Sequence, residues 1–116
     1  MNLRPEVSWF ARQMERTLRK HDDKGGWDGC EISDLQCALK REVREMRQAI
    51  RFLRAAEDRA YRNNTQLRRS KLERVIEEAT DVANYAMMIA DNTNRMAELH
   101  GLDPVSCVPD DEGAAR

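Results

Sequence analysis

Two pairs of acidic residues, Glu42 with Glu45 and Glu78 with Asp81, stand three positions apart within stretches that read as long helices. An α-helix turns about 100° per residue, so acids at i and i+3 share one side and reach a common point beside it. Two such helices laid together would converge four carboxylates. Hard divalent cations such as Mg²⁺, for which Mn²⁺ can substitute, prefer that all-oxygen environment. The two histidines and three scattered cysteines offer no zinc spacing. Carboxylates crowded into a partly buried place must either protonate or hold a cation, because like charges at short range repel strongly. The same acids also admit a plainer reading. Arg41 with Glu45 and Arg74 with Glu78 have i to i+4 spacing and would make ordinary ion pairs on a helix surface.

The elements that must position these acids are helical. Only three prolines and five glycines interrupt the chain, and no sustained alternation of β-branched residues appears, so the expected fold class is all-α. A first helix is expected from Pro5 or Glu6 to Lys20, with Phe10, Met14 and Leu18 at four-residue steps. It stops before His21-Asp22-Asp23-Lys24-Gly25-Gly26-Trp27. A second helix opens with a capping box, Ser33 with Gln36, carries Leu35, Leu39, Val43, Met46, Ile50 and Leu53 on one face, and continues to about Arg62. Asn63-Asn64-Thr65 reads as a turn. A third helix follows from Gln66 or Lys71 to His100, ended by Gly101 with Leu102 behind it. Residues 1–102 are thus expected to form one domain, a helical bundle. Residues 103–116, with Pro104, Pro109, Gly113 and small or acidic side chains, read as a flexible tail.

The third helix carries two inward faces. Leu72, Ile76, Ala79, Ala83 and Ala90 form an apolar stripe, and Glu78, Asp81, Tyr85, Met88, Asn92 and Met96 lie roughly opposite. A face that mixes carboxylates and an amide with large apolar groups is unlike a solvated one, so it should look into a cleft or onto a second subunit. Lys24 and Trp27 sit in a glycine-containing loop just before the second helix, where a base can stack on the indole and a phosphate can meet the ammonium. Tyr85 and Asn92 continue the acidic stripe, with Asn84 near it, and these are candidate contacts for a sugar or base. For Tyr85, Asn84 and Asn92 the plainer role is packing or a buried hydrogen bond, and for Trp27 it is to plug the end of the bundle. Trp9 and Phe10 read as core, and Met87 and Met88 as adaptable filler.

These residues resemble a known family. Leu39-Lys40-Arg41-Glu42-Val43-Arg44-Glu45-Met46 carries E-x-x-E and Glu77-Glu78-Ala79-Thr80-Asp81-Val82-Ala83-Asn84-Tyr85 carries E-x-x-D, as in the all-α nucleoside triphosphate pyrophosphohydrolases of the MazG-like group. The resemblance covers about residues 8 to 95. Asp81 to Asn92, together with Lys24-Gly25-Gly26-Trp27, looks most like the small stand-alone phage-encoded versions, some of which act on purine deoxynucleotides. Arg41 stands where many members have a further glutamate. The resemblance implies Mg²⁺-dependent cleavage of a nucleoside triphosphate, with dGTP or dATP the leading substrates, to monophosphate and pyrophosphate, for nucleotide-pool control. It assigns Glu42, Glu45, Glu78 and Asp81 as metal ligands, Glu45 additionally as base, and Lys24, Trp27, Tyr85, Asn84 and Asn92 as substrate contacts.

Composition frames the rival readings. Basic and acidic side chains nearly cancel, at 20 against 21, so no overall field calls for nucleic acid or an anionic membrane. No apolar run approaches a membrane span. Cys30, Cys37 and Cys107 form no C-x-x-C and read as free thiols, which suits a reducing cytoplasm, that of the host if the chain is phage-encoded. A chain of this length buries only a modest core, so a homodimer or homotetramer is expected. The rival of another class is a non-enzymatic helical interaction protein binding nucleic acid or a partner through Arg41, Arg44, Arg47, Arg51 and Arg54. A third reading is a nucleotide binder that does not cleave.

Overall fold

The structure is a computed structural model that describes residues 2–106. Its regular elements are helices throughout the described chain: α1 (Pro5–Arg19), a single 3-10 turn (Asp22–Lys24), α2 (Ile32–Asn63) and α3 (Arg69–Leu99). The fold is all-α.

Pro5 occupies the start of α1, where its missing N–H costs nothing. The start of α2 departs from the sequence reading. Glu31 is the N-cap and makes no side-chain cap bond, which leaves Ser33 already inside the first turn instead of at its head. The cause lies outside the helix. Asn92 on α3 grips the carbonyls of Trp27 and Cys30, at 2.8 and 3.1 Å, and so fixes how the chain enters α2. At the far end Asn64 adopts left-handed φ and ψ of 53° and 45°, and Thr65 N–H closes back on the Ala60 carbonyl at 2.8 Å. Asparagine tolerates that conformation better than most residues, so the turn falls where the Asn-Asn pair placed it. At the end of α3, Gly101 has φ of +68° and Leu102 N–H reaches the Ala97 carbonyl at 2.8 Å.

The short connection after Asn64 folds α3 back along α2 as an antiparallel hairpin. Ala56 and Ala60 of α2 line one cavity with Leu67, Arg68 and Lys71, Ala49 lines another with Lys71 and Arg74, and Glu42 converges with Glu78 and Asp81. The first helix packs across α3, where the buried Asn84 side chain donates to the Met14 carbonyl at 3.3 Å.

The interior is thin. Among the described residues only Leu35 and Ala49 are buried apolar residues, whereas the buried positions of α3 are Glu78, Thr80, Asn84 and Asn92. Thr80 is nearly sealed and donates its hydroxyl proton to the Ile76 carbonyl at 2.7 Å. Leu72 and Ala90, at the ends of the apolar α3 stripe, are exposed, and α1 buries no residue outright. Trp9 therefore does not form core within one chain: it is 43 % exposed and leans on Phe10 with ring centroids 6.0 Å apart. Its helix packs chiefly against α3.

Beyond α3, Asn94 pairs with the Val105 backbone through both its amide nitrogen and its carbonyl oxygen, at 3.0 and 2.6 Å. That anchor holds the start of the segment read from sequence as a tail. The rest of that segment lies outside the described residues, Cys107 with it. Cys30 and Cys37 are free and exposed thiols. No helix of the described chain is long and apolar enough to cross a membrane.

Candidate metal centre

Glu42 on α2 and Glu78 and Asp81 on α3 converge across the hairpin, with carboxylate oxygens from all three within 4.8 Å of one another. Helical geometry places them there. Glu78 and Asp81, three apart, share the α3 face that meets α2, and the antiparallel pairing puts Glu42 opposite. Glu78 is buried, and Glu42 and Asp81 are half-buried. Glu78 Oε1 accepts from Arg74 Nε at 2.8 Å, so the i to i+4 pair read from sequence does form. That pair leaves the other oxygen unserved. Glu78 Oε2 and Glu42 Oε2 are both buried without a hydrogen-bond partner.

The electrostatics carry the strain of this crowding. Burial, followed by a hydrogen bond and charge from Glu45 and by the charges of Asp81 and Glu78, pushes the Glu42 carboxyl up to about 7. Glu78 is raised by burial against the opposing pull of Arg74, with Glu45 and Asp81 adding to the rise. Asp81 is raised by burial and then by Glu45, while His21 and Arg74 pull it down. All three acids are thus disfavoured as carboxylates in the chain alone. A divalent cation reverses that preference, and the unserved oxygens of Glu42 and Glu78 are the donors it would take. The residues fit Mg²⁺ or Mn²⁺.

Glu45, the fourth acid read from the sequence, borders this triad and hydrogen-bonds within it. It presses on all three carboxylates, but it lines a separate cavity of about 490 Å³ with Gln48, Phe52, Lys71, Arg74 and Glu77. Three residues of helix rotate it about 60° from Glu42, enough to put it at the edge of the cluster.

Glu42 and Asp81 also line a cavity of about 440 Å³. Its lining takes carboxylates from Asp22, Glu42 and Asp81, large apolar groups from Trp27, Tyr85 and Met88, and an ammonium from Lys24. Of the five substrate contacts expected from sequence, Lys24, Trp27, Tyr85 and Asn84 line this cavity. Asn92 does not: its amide nitrogen is committed to the Trp27 and Cys30 carbonyls, so it shapes the loop that walls the cavity. Asn84 divides its amide, donating to Met14 while its Oδ1 stays buried and without a partner.

Thr17 and Leu18 of α1 and His21 just beyond it also line the cavity, and the sequence reading gave them no part in the site. His21 lies close enough to Asp81 to lower its pKa. The signal available in the sequence was only that His21 opens the loop leading to Trp27. The arginines of α2 from Arg41 to Arg54 are all exposed, as on a solvated face. Comparison with protein-family models, with curated proteins and with solved structures finds no match to this chain.

Proposed function

We propose that the protein is a Mg²⁺-dependent nucleoside triphosphate pyrophosphohydrolase of the MazG-like kind, acting by preference on a purine deoxynucleotide. The observation that carries this reading is the juxtaposition of a three-carboxylate cluster bearing unserved buried oxygens with a cavity walled by an indole and a phenol. The cavity has the volume and the mixed lining of a small-ligand site.

In this reading Glu42, Glu78 and Asp81 hold the cation, which supplies charge neutralisation for the phosphates and acidifies a water. Trp27 and Tyr85 flank the base, and Lys24 meets a phosphate oxygen. Glu45, at the edge of the cluster, takes the proton as water attacks the α-phosphorus. The α–β anhydride bond breaks, its electron pair leaves on the β-phosphate oxygen, and pyrophosphate departs from the nucleoside monophosphate. Arg74 keeps Glu78 in place from the solvent side.

The test is pyrophosphate release from a panel of ribo- and deoxyribonucleoside triphosphates, with Mg²⁺ and with chelator. Metal-dependent release from a subset, highest for dGTP or dATP, is expected. Absence of release from every nucleotide overturns the reading.

The same proposal includes self-association. The chain exposes 9742 Å², about half as much again as the roughly 6,500 Å² of a compact monomer of this length. Its radius of gyration is 18.4 Å, where about 13 Å is usual. Exposed Leu3, Val7, Trp9, Phe52 and Leu72 are the apolar surface that a second copy would cover. Sedimentation at micromolar concentration should give a dimer or tetramer, and a monomer would contradict this part.

A further inference from the structure

Away from the acidic cluster, one turn of α3 gathers hydrogen bonds that span more than sixty residues of chain. Trp27 Nε1 donates to Asp91 Oδ2 at 2.9 Å. Arg95 donates to the same oxygen through Nε and Nη2, at 3.3 and 3.1 Å. Next along the helix, Asn92 holds the backbone carbonyls of Trp27 and Cys30. Asn92 therefore places the backbone of this loop and Asp91 places its side chain.

The distinction matters because a fixed backbone still leaves an indole several rotamers. The indole N–H is a donor only, so its acceptor selects which rotamer is held. Asp91 is well suited to select it. Its carboxyl is kept below the usual carboxylate range by the Trp27 bond and then by Arg95, so it is charged at neutral pH, and a bond to a charged acceptor is stronger than a neutral one. Asp91 itself is not among the residues lining the cavity, whereas Trp27 is.

We propose that Asp91 is a positioning residue for substrate recognition: by holding the Trp27 indole N–H, it sets the ring as the flat wall against which the base of a nucleotide stacks. This rests on the nucleotide reading of the cavity. Asp91 acts through Trp27 and touches neither phosphate nor metal, so its loss weakens recognition and spares the chemical step.

The experiment uses the full chain carrying Trp9→Phe, which leaves Trp27 as the only indole, with Asp91→Ala or Asp91→Asn added. Emission and acrylamide quenching of Trp27 are read without nucleotide, and KM and kcat are then read with the preferred triphosphate. Asp91→Ala should shift emission to the red and increase quenching. Its KM should rise about threefold, the cost of losing a preset ring and less than loss of the ring itself, with kcat within about twofold. Asp91→Asn, whose amide oxygen still accepts the indole N–H, should retain the parent emission and most of the parent KM. Unchanged emission and KM in Asp91→Ala, a fall in kcat at constant KM, or an Asn variant as damaged as the Ala variant would each overturn the proposal. If the parent turns over no nucleotide while its emission still answers to Asp91→Ala, the nucleotide reading fails, and Asp91 is left as an anchor of the loop with no role in recognition.

Discussion

The two ends of the α2–α3 hairpin are built from the same residue types and do different things. Near the turn, Arg62 meets Asp58 at 3.5 Å and Arg69 meets Glu73 at 3.6 Å, with all four side chains more than half exposed. Near the loop, Glu78 has only 7 % of its side chain exposed, and one of its oxygens lacks any partner. Charge at the turn is hydrated and screened, so these pairs contribute little to stability. Charge near the loop has lost water without gaining enough partners. What separates a surface acid from a site acid here is the missing compensation, since both kinds obey the same i to i+3 or i+4 spacing.

This contrast can be broken most severely at the acids themselves. Asp81→Ala and Glu78→Ala are expected to lower pyrophosphate release by about a thousandfold or more, as loss of a metal ligand should. Asp58→Ala and Glu73→Ala should retain the parent rate. Circular dichroism should show all four variants as helical as the parent. Equal activity across the two sets would erase the distinction.

A smaller effect is expected at the cavity wall. Trp27→Ala should raise KM for the preferred nucleotide about tenfold, the weight of one stacking contact, with a lesser change in kcat. If KM does not move, the indole does not face the base.

The pH dependence of stability separates the two ends further. Glu42, Glu78 and Asp81 have folded pKa values above their unfolded ones, Glu42 at about 7 against 4.5. Between those values the folded chain binds more protons than the unfolded chain, so stability falls as pH rises through that window. The metal-free Tm should therefore drop from about pH 5 to about pH 8, by a few degrees. Mg²⁺ should restore more of it at pH 8 than at pH 5.5. Glu42→Gln should flatten the metal-free profile and raise Tm at neutral pH. A metal-free Tm that climbs over this range would contradict the crowding.

The smallest effect belongs to the turn end. Removing the Arg62–Asp58 pair by Arg62→Ala should change unfolding free energy by no more than about 0.5 kcal/mol, measured by urea titration. A larger loss would show that the exposed pairs carry more weight than their hydration allows.

Much of this arrangement was legible in the sequence wherever the signal was local. Asn64 and Gly101 marked helix ends because each accepts a positive φ. The acid spacing placed Glu78 and Asp81 together on α3 because helical periodicity alone dictates it. The capping box at Ser33 failed for the opposite reason: the entry to α2 is set by Asn92, remote in the chain, and not by its own first turn. The part taken by His21 and the bond from Trp27 to Asp91 were invisible for the same cause, since both depend on how α1 and its loop lie over α3. Glu45 shared a helix side with Glu42, but periodicity does not say which of two neighbours faces the centre of a cluster and which its edge.

The claim beneath all of this is that Glu42, Glu78 and Asp81 form one divalent-cation site. Titration of Mn²⁺ into the protein at pH 7.5, followed by the loss of the free-ion electron paramagnetic resonance signal, tests it without assuming any substrate. Saturable binding that is abolished in Asp81→Asn and unchanged in Glu73→Gln is the predicted result. Binding that is equally weak in the parent and both variants would contradict it.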